Sequence, residues 1–162
     1  MFKGFLNIVG LDGESTDDKH EDWIEVLSYN HGITQTSNIH SGAGGGAGKC
    51  THEDFIITKS LDKASPKLAL ACCNGEHIPR VVLELCQAGG DKQKFMEYEM
   101  EDVIVASVRP SGATDGQEGR PTEEISLRYG KIKFVYTTVD PRSGKSAGYI
   151  QTEWDVKANS GK

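Results

Sequence analysis

One stretch, DKASPKLALACCNG from Asp62 to Gly75, is the only place where helical punctuation and helical spacing coincide, so the chain is limited to a fold with one helix. Ser65 offers a side-chain oxygen where an N-cap belongs. Pro66 suits the first helical turn, where its missing N–H is not needed, and Gly75 can take the left-handed C-cap position. Leu68, Ala71 and Cys72 fall on one stripe, flanked by Leu70 and Cys73. About ten residues make too short a helix to persist alone, so the stripe must lie on a surface already formed. The rest of the chain offers mostly period-two patterns, and that surface is a sheet.

Phe2 to Val9 alternates around Phe2, Leu6 and Ile8 and ends at Leu11, Asp12 and Gly13; the ESTDDKHED run after it reads as a solvated connection. Between Trp23 and Thr36 a longer strand sets Trp23, Leu27, Tyr29 and His31 on one face and Ile24, Val26, Ser28 and Asn30 on the other. Phe55 and Ile57 oppose Ile56, and after the helix Val81, Leu83 and Leu85 share a side. From Phe95 to Val108 the residues Met96, Tyr98, Met100, Ile104, Ala106 and Val108 share a parity, with Glu97, Glu99 and Glu101 opposite. Ile125, Leu127 and Tyr129 alternate in one phase and Ile132, Phe134 and Tyr136 in the other; a β-bulge at Gly130–Lys131 would keep both triads in one core. The last strand carries Ile150, Thr152, Trp154 and Val156 on one face. About six or seven such strands and a short helix on their flank make a mainly β fold, a two-sheet antiparallel β-barrel or sandwich. The 162 residues, 36% of them hydrophobic, suit a single domain over the whole length.

A net charge of −6 and a pI near 5.4 argue against a sequence-independent grip on nucleic acid or on an anionic membrane. The start, MFKGFLNIVGLDGESTDD, has one lysine, a short alternating apolar run and no small-residue cleavage site, so it does not read as a signal peptide, and no stretch is long and apolar enough to span a bilayer as a helix. Cys50, Cys72, Cys73 and Cys86 lack the spacing of a secreted disulfide framework and read as reduced thiols of a protein made in the cytoplasm.

Four groups of residues are of a type that could carry chemistry. The glycine-rich run ending at Gly48 and Lys49 resembles a phosphate-binding loop, but Ala43 stands where the first glycine belongs, Cys50 replaces the magnesium-binding hydroxyl, and a strand follows where a helix is needed. Cys50, His52 and His40 are the densest metal-type cluster, yet no spacing matches a structural zinc module. His77 near Cys73 suggests a thiol–imidazole pair, but no orienting group or oxyanion donors can be placed beside it. Successive carboxylates of Glu97, Glu99 and Glu101 stand about 7 Å apart along one strand face, where solvation or an intersubunit salt bridge is the ordinary role. The reading is a protein without catalytic residues, metal or cofactor.

Several stretches, in order along nearly the whole chain, then point to one family. DGESTDDKHEDWIEVLSY, SGAGGGAGK, FIITKSLDKASPKLALACCNGEHIP, QAGG, VASV, SGATDGQEGRPTEEISL and TEWDV together resemble the haemolysin-coregulated protein (Hcp) family of bacterial type VI secretion systems. The resemblance implies a two-sheet β-barrel with one helix on its flank, forming hexameric rings that stack into a hollow, expelled tube. It implies a sheath around that tube, a VgrG spike at its tip and effector proteins in the lumen of some members. It also implies assembly in the cytoplasm and export to the outside without a signal peptide.

Carried over by position, the lumen wall includes Ser28, Asn30 and Val26, and the core includes Leu27, Tyr29, Leu83, Leu85, Phe134 and Trp154. The loop that meets a neighbouring ring maps onto Asn38, His40, Ser41, Gly42, Gly44, Gly45, Gly46, Gly48 and Lys49. Where relatives often have an aromatic, this chain has His31. The competing expectation is a barrel that binds a small molecule inside one subunit, against which the large inward Phe, Tyr and Trp side chains count.

Overall fold

The helix forms where its punctuation places it. In a computed structural model, which describes residues 1–36, 49–115 and 119–162, α1 runs Ser65–Asn74 and ends on Gly75 at φ 65°, whose N–H reaches the Ala71 carbonyl. Leu68 and Ala71 are buried on the expected stripe, while Leu70 and Cys73 are exposed. The N-terminus differs from expectation. Ala64 occupies the N-cap, and no side chain caps the helix. Ser65 instead accepts from the Asp62 N–H at 3.0 Å and donates to Glu123 Oε1 at 2.7 Å, because a buried ion pair between Lys59 and Glu123 claims its hydroxyl.

The strands are β1 (Phe2–Ile8), β2 (Ile24–Val26), β3 (Ser28–Asn30), β4 (Ile33–Thr34), β5 (Thr51–His52), β6 (Phe55–Ser60), β7 (Ile78–Gln87), β8 (Lys94–Ser111), β9 (Thr122–Val139), β10 (Ser146–Asp155) and β11 (Ser160–Gly161). The main sheet is antiparallel in the order β11-β10-β9-β8-β7-β1-β2, and β6 joins β3 to the first half of β9. Strand β2 pairs with β1 and β3 with β6, and the chain passes between these partners at Leu27. The ladder is therefore not one closed barrel, and the fold is the mainly β, sandwich-like architecture with one flanking helix that the alternation called for. A two-stranded ribbon of β4 and β5 stands apart.

Phe55, Ile57, Leu68, Leu83, Met100, Ile125, Leu127 and Ile132 fill the space between the layers. The two phases of β9 both reach this core, with Tyr129 and Ile132 buried, but the switch is not a bulge at Gly130. The β8–β9 register is unchanged from Glu101↔Lys131 to Val103↔Tyr129. Both strands turn over together, with Asp102 at φ 52° and its Oδ2 only 3.0 Å from where a Cβ on Gly130 would lie. After this corner Val103 and Val105 are buried and Ile104 faces outward, reversing the parity expected for β8. The one bulge in the pair comes later, between Val105 and Ser107.

The segment after β1 is no solvated connection. Phe5, Val82 and Cys86 point away from the main core, and residues 9–23 fold over them. His20, 3% exposed, stacks on Phe5 with ring centroids 4.1 Å apart and meets the edge of Trp23 at 4.9 Å. Gly13 packs so closely that a Cβ there would sit 2.5 Å from the Trp23 carbonyl oxygen.

Candidate assembly surfaces

Strand β3 sets Ser28 and Asn30 on the exposed side of its layer, with Tyr29 packed against the core. The register extends that face: Ser28 lies opposite Thr58 and Asn30 opposite Ile56 on β6, these oppose Glu124 and Ser126 on β9, and those oppose Arg109 and Ser107 on β8. The result is a wall made largely of small polar side chains. Val26 does not belong to it. The chain reverses its phase at Leu27, so Ile24 and Val26 face the core, while Leu27, expected there, is 59% exposed. Leu83 and Leu85 are buried as expected, and Tyr29, Phe134 and Trp154 pack against the core while partly buried.

Of the positions assigned to ring stacking, Lys49 is exposed next to β5. Asn38, His40, Ser41, Gly42, Gly44, Gly45, Gly46 and Gly48 lie outside the described residues. At the root of that segment His31 and His52 both reach Tyr129, with His31 Nε2 2.7 Å and His52 Nδ1 2.6 Å from the phenol oxygen. A phenol has one proton to give, so it donates to one ring and accepts an N–H from the other. Burial holds both imidazoles below their ordinary pKa, with His52 adding to the effect on His31. His31 also stacks on Phe55 at 4.8 Å, filling the place of an aromatic residue.

The acidic row on β8 is paired within the subunit. Glu99 accepts from Arg80 Nε at 2.6 Å and Lys133 Nζ at 2.8 Å, and these bonds outweigh its burial to hold its carboxyl below the usual range. Glu97 meets Lys94 at 3.2 Å. His77 bonds Asp102 at 2.9 Å, so it is not committed to Cys73.

One uncovered apolar feature was missed by alternation alone. In β10 every residue from Ser146 to Thr152 is exposed, including Tyr149 at 69% and Ile150 at 67%, and Ile150 lies opposite Tyr136, which is 50% exposed. Trp154 and Val156 pack on the core, whereas Ile150, of the same parity, does not, because the β9–β10 ribbon projects beyond the layer beneath it.

The model of the family described as "Type VI secretion system effector, Hcp" matches residues 5–136. Protein hcp1 of Pseudomonas aeruginosa is 34% identical over 156 residues, 96% of this chain and 95% of the relative. A solved structure described as that of a type six secretion system protein superposes with a TM-score of 0.94 at 38% identity, covering 100% of both chains. Hcp1 from Salmonella typhimurium gives 0.82 at 37% identity over 99% of each. With the β order, the flanking helix and these matches in agreement over nearly the full length, the chain belongs to the Hcp family of the type VI secretion system.

Proposed function

We propose that this chain is a tube subunit: six copies close into a ring, rings stack into a hollow tube, and the lumen carries or chaperones effectors. The observation that carries the reading is the β9–β10 ribbon, which leaves Tyr149 and Ile150 uncovered on its two faces. Neighbouring residues of a strand point to opposite sides, so cover is needed on both. A heterologous contact repeated around a closed ring gives every ribbon a neighbour. The small polar wall of Ser28 and Asn30 suits a lumen that must hold cargo without trapping it, and Lys49 with the segment before it is assigned to ring stacking. Partners in this reading are other copies of the chain, the sheath, a VgrG spike and effector proteins. A Pseudomonas aeruginosa relative called "Major exported protein", 29% identical over 130 residues, supports export of the subunit, which in this reading follows assembly in the cytoplasm.

Native mass spectrometry paired with negative-stain electron microscopy tests the proposal. Six-subunit rings with an open centre are expected. A homogeneous monomer at every concentration overturns it.

A further inference from the structure

The side chains beneath residues 9–23 form a buried cluster that no assembly surface uses. His20 Nδ1 is 2.7 Å from Asp17 Oδ2, and His20 Nε2 is 2.6 Å from Glu84 Oε2 and 4.0 Å from Cys86 Sγ. The donor atoms of His20, Glu84 and Cys86 all lie within 4.8 Å of one another, and His20 and Cys86 are 3% and 1% exposed. We propose that these three side chains bind a thiophilic divalent cation, Zn²⁺ above all, with Asp17 holding the imidazole in place from behind.

The donor set is the first argument. Nitrogen, carboxylate oxygen and sulfur together suit zinc rather than calcium or magnesium, and three protein ligands leave one position for water. Metal–ligand bonds of about 2.0–2.3 Å in a tetrahedron place ligand atoms roughly 3.3–3.7 Å apart. Inserting the ion therefore moves Glu84 Oε2 away from His20 by about 1 Å and draws the sulfur in by a few tenths of an ångström. The second argument is orientation. A ligating imidazole usually gives its other N–H to a carboxylate, and Asp17 already receives it, while Phe5 and Trp23 fix the ring plane.

Charge is the third. Asp17 and Glu84 set a carboxylate against each ring nitrogen, so a cation held at Nε2 meets negative charge on both sides of the imidazole. On binding, the Cys86 thiol gives its proton to solvent and coordinates as the thiolate. Lys94, 3.5 Å from Glu84 Oε1, and Lys92, 2.5 Å from Asp17 Oδ1, each hold the carboxylate oxygen turned away from the ion and stay where they are. Sequence spacing hid the set, since His20 lies 64 residues from Glu84 and 66 from Cys86. Glu84 and Cys86 meet it because they share one face of β7.

The experiment uses the full chain with Cys50→Ser, Cys72→Ser and Cys73→Ser, which leaves Cys86 as its only thiol. Titration with Co²⁺ is expected to give a thiolate-to-cobalt charge-transfer band saturating at one ion per chain. Titration with Zn²⁺ is expected to displace the cobalt band at one ion per chain and to raise the melting temperature, reversed by chelator. Adding Cys86→Ser abolishes the band. The proposal is overturned if the single-thiol protein shows no such band at saturating Co²⁺, or if Zn²⁺ fails to displace that band. A wild-type band lost with Cys50→Ser alone overturns it equally. None of these outcomes depends on ring formation.

Discussion

Replacing Lys59 with methionine tests whether the ionic network under the helix is a stability element or a specificity device. Lys59 is fully buried, with Nζ 2.5 Å from Glu123 Oε1, 2.9 Å from Asp62 Oδ1, 3.1 Å from the Ser60 carbonyl and 3.2 Å from Ser65 Oγ. Glu123 is 2% exposed. Lys59→Met keeps the volume but leaves that carboxylate, among the described residues, with the Ser65 hydroxyl as its side-chain partner, and removing one partner of a buried pair costs about 3–5 kcal/mol. Against a total of about 5–15 kcal/mol for a domain, that is a large share. At a slope near 2 kcal/mol per molar, the urea midpoint should fall by roughly 1.5–2.5 M. Lys59→Met combined with Glu123→Leu removes both charges and should recover most of the loss, because a well-packed apolar replacement of a buried pair is often neutral or better. All variants need one fixed protein concentration, since assembly itself adds apparent stability. A double variant no more stable than Lys59→Met, or a single variant costing under about 1 kcal/mol, would refute the reasoning.

Five further outcomes follow from named contacts. Gly13→Ala forces a Cβ against the Trp23 carbonyl and Ile24, and should cost about 1–3 kcal/mol by urea unfolding. Because His31 and His52 have lowered pKa values, the unfolded chain binds protons that the folded cluster refuses. Stability is therefore lost as pH falls below 6.5, and His31→Phe should reduce that loss in melting scans. Hydrogen bonds from Lys92 and His20 hold Asp17 at about 2 against 3.8, so a separate loss begins only as pH falls below 3.8, and Asp17→Asn should remove it. Tyr149→Ser with Ile150→Ser should leave the melting of the isolated subunit nearly unchanged yet weaken ring assembly in native mass spectra, by about 1.5–3 kcal/mol for each side chain that a neighbour buries. Asn30→Arg should leave assembly intact and reduce effector co-purification with the ring, because the side chain is exposed on the small polar wall.

The helix, the strand order along the chain and most of the core were legible because each rests on local signals: Pro66 and Gly75 for the helix, alternation for Leu83, Leu85, Ile125 and Leu127. What failed was parity wherever the backbone turns over. Alternation assumes a strand keeps its face, and Leu27 and Asp102 each sit where it changes; at Gly130 the change of phase was legible and only its cause, a turnover without a bulge, was not. One such change moved Leu27 out of the core and Val26 into contact with it. His20 was unreadable for another reason. Its burial depends on Phe5, Glu84 and Cys86, which the topology brings to it from two other strands.

The distribution of unmet needs separates covered surfaces from free ones. Charges on the outer face of β7, β8 and β9 are satisfied inside the subunit, Glu99 by Arg80 and Lys133 and Glu97 by Lys94. A neighbour docking there would have to desolvate those pairs, and the cost of taking paired charges out of water can exceed what the contact returns. The β9–β10 ribbon imposes no such cost. Its Tyr149, Ile150 and Tyr136 are exposed, and covering them releases water from apolar surface. If subunits meet laterally, they therefore meet through this ribbon rather than through the acidic row. Neutralising Glu97 and Glu101 should then leave assembly unchanged in native mass spectra, whereas loss of the ring on that substitution would move the interface to the charged face.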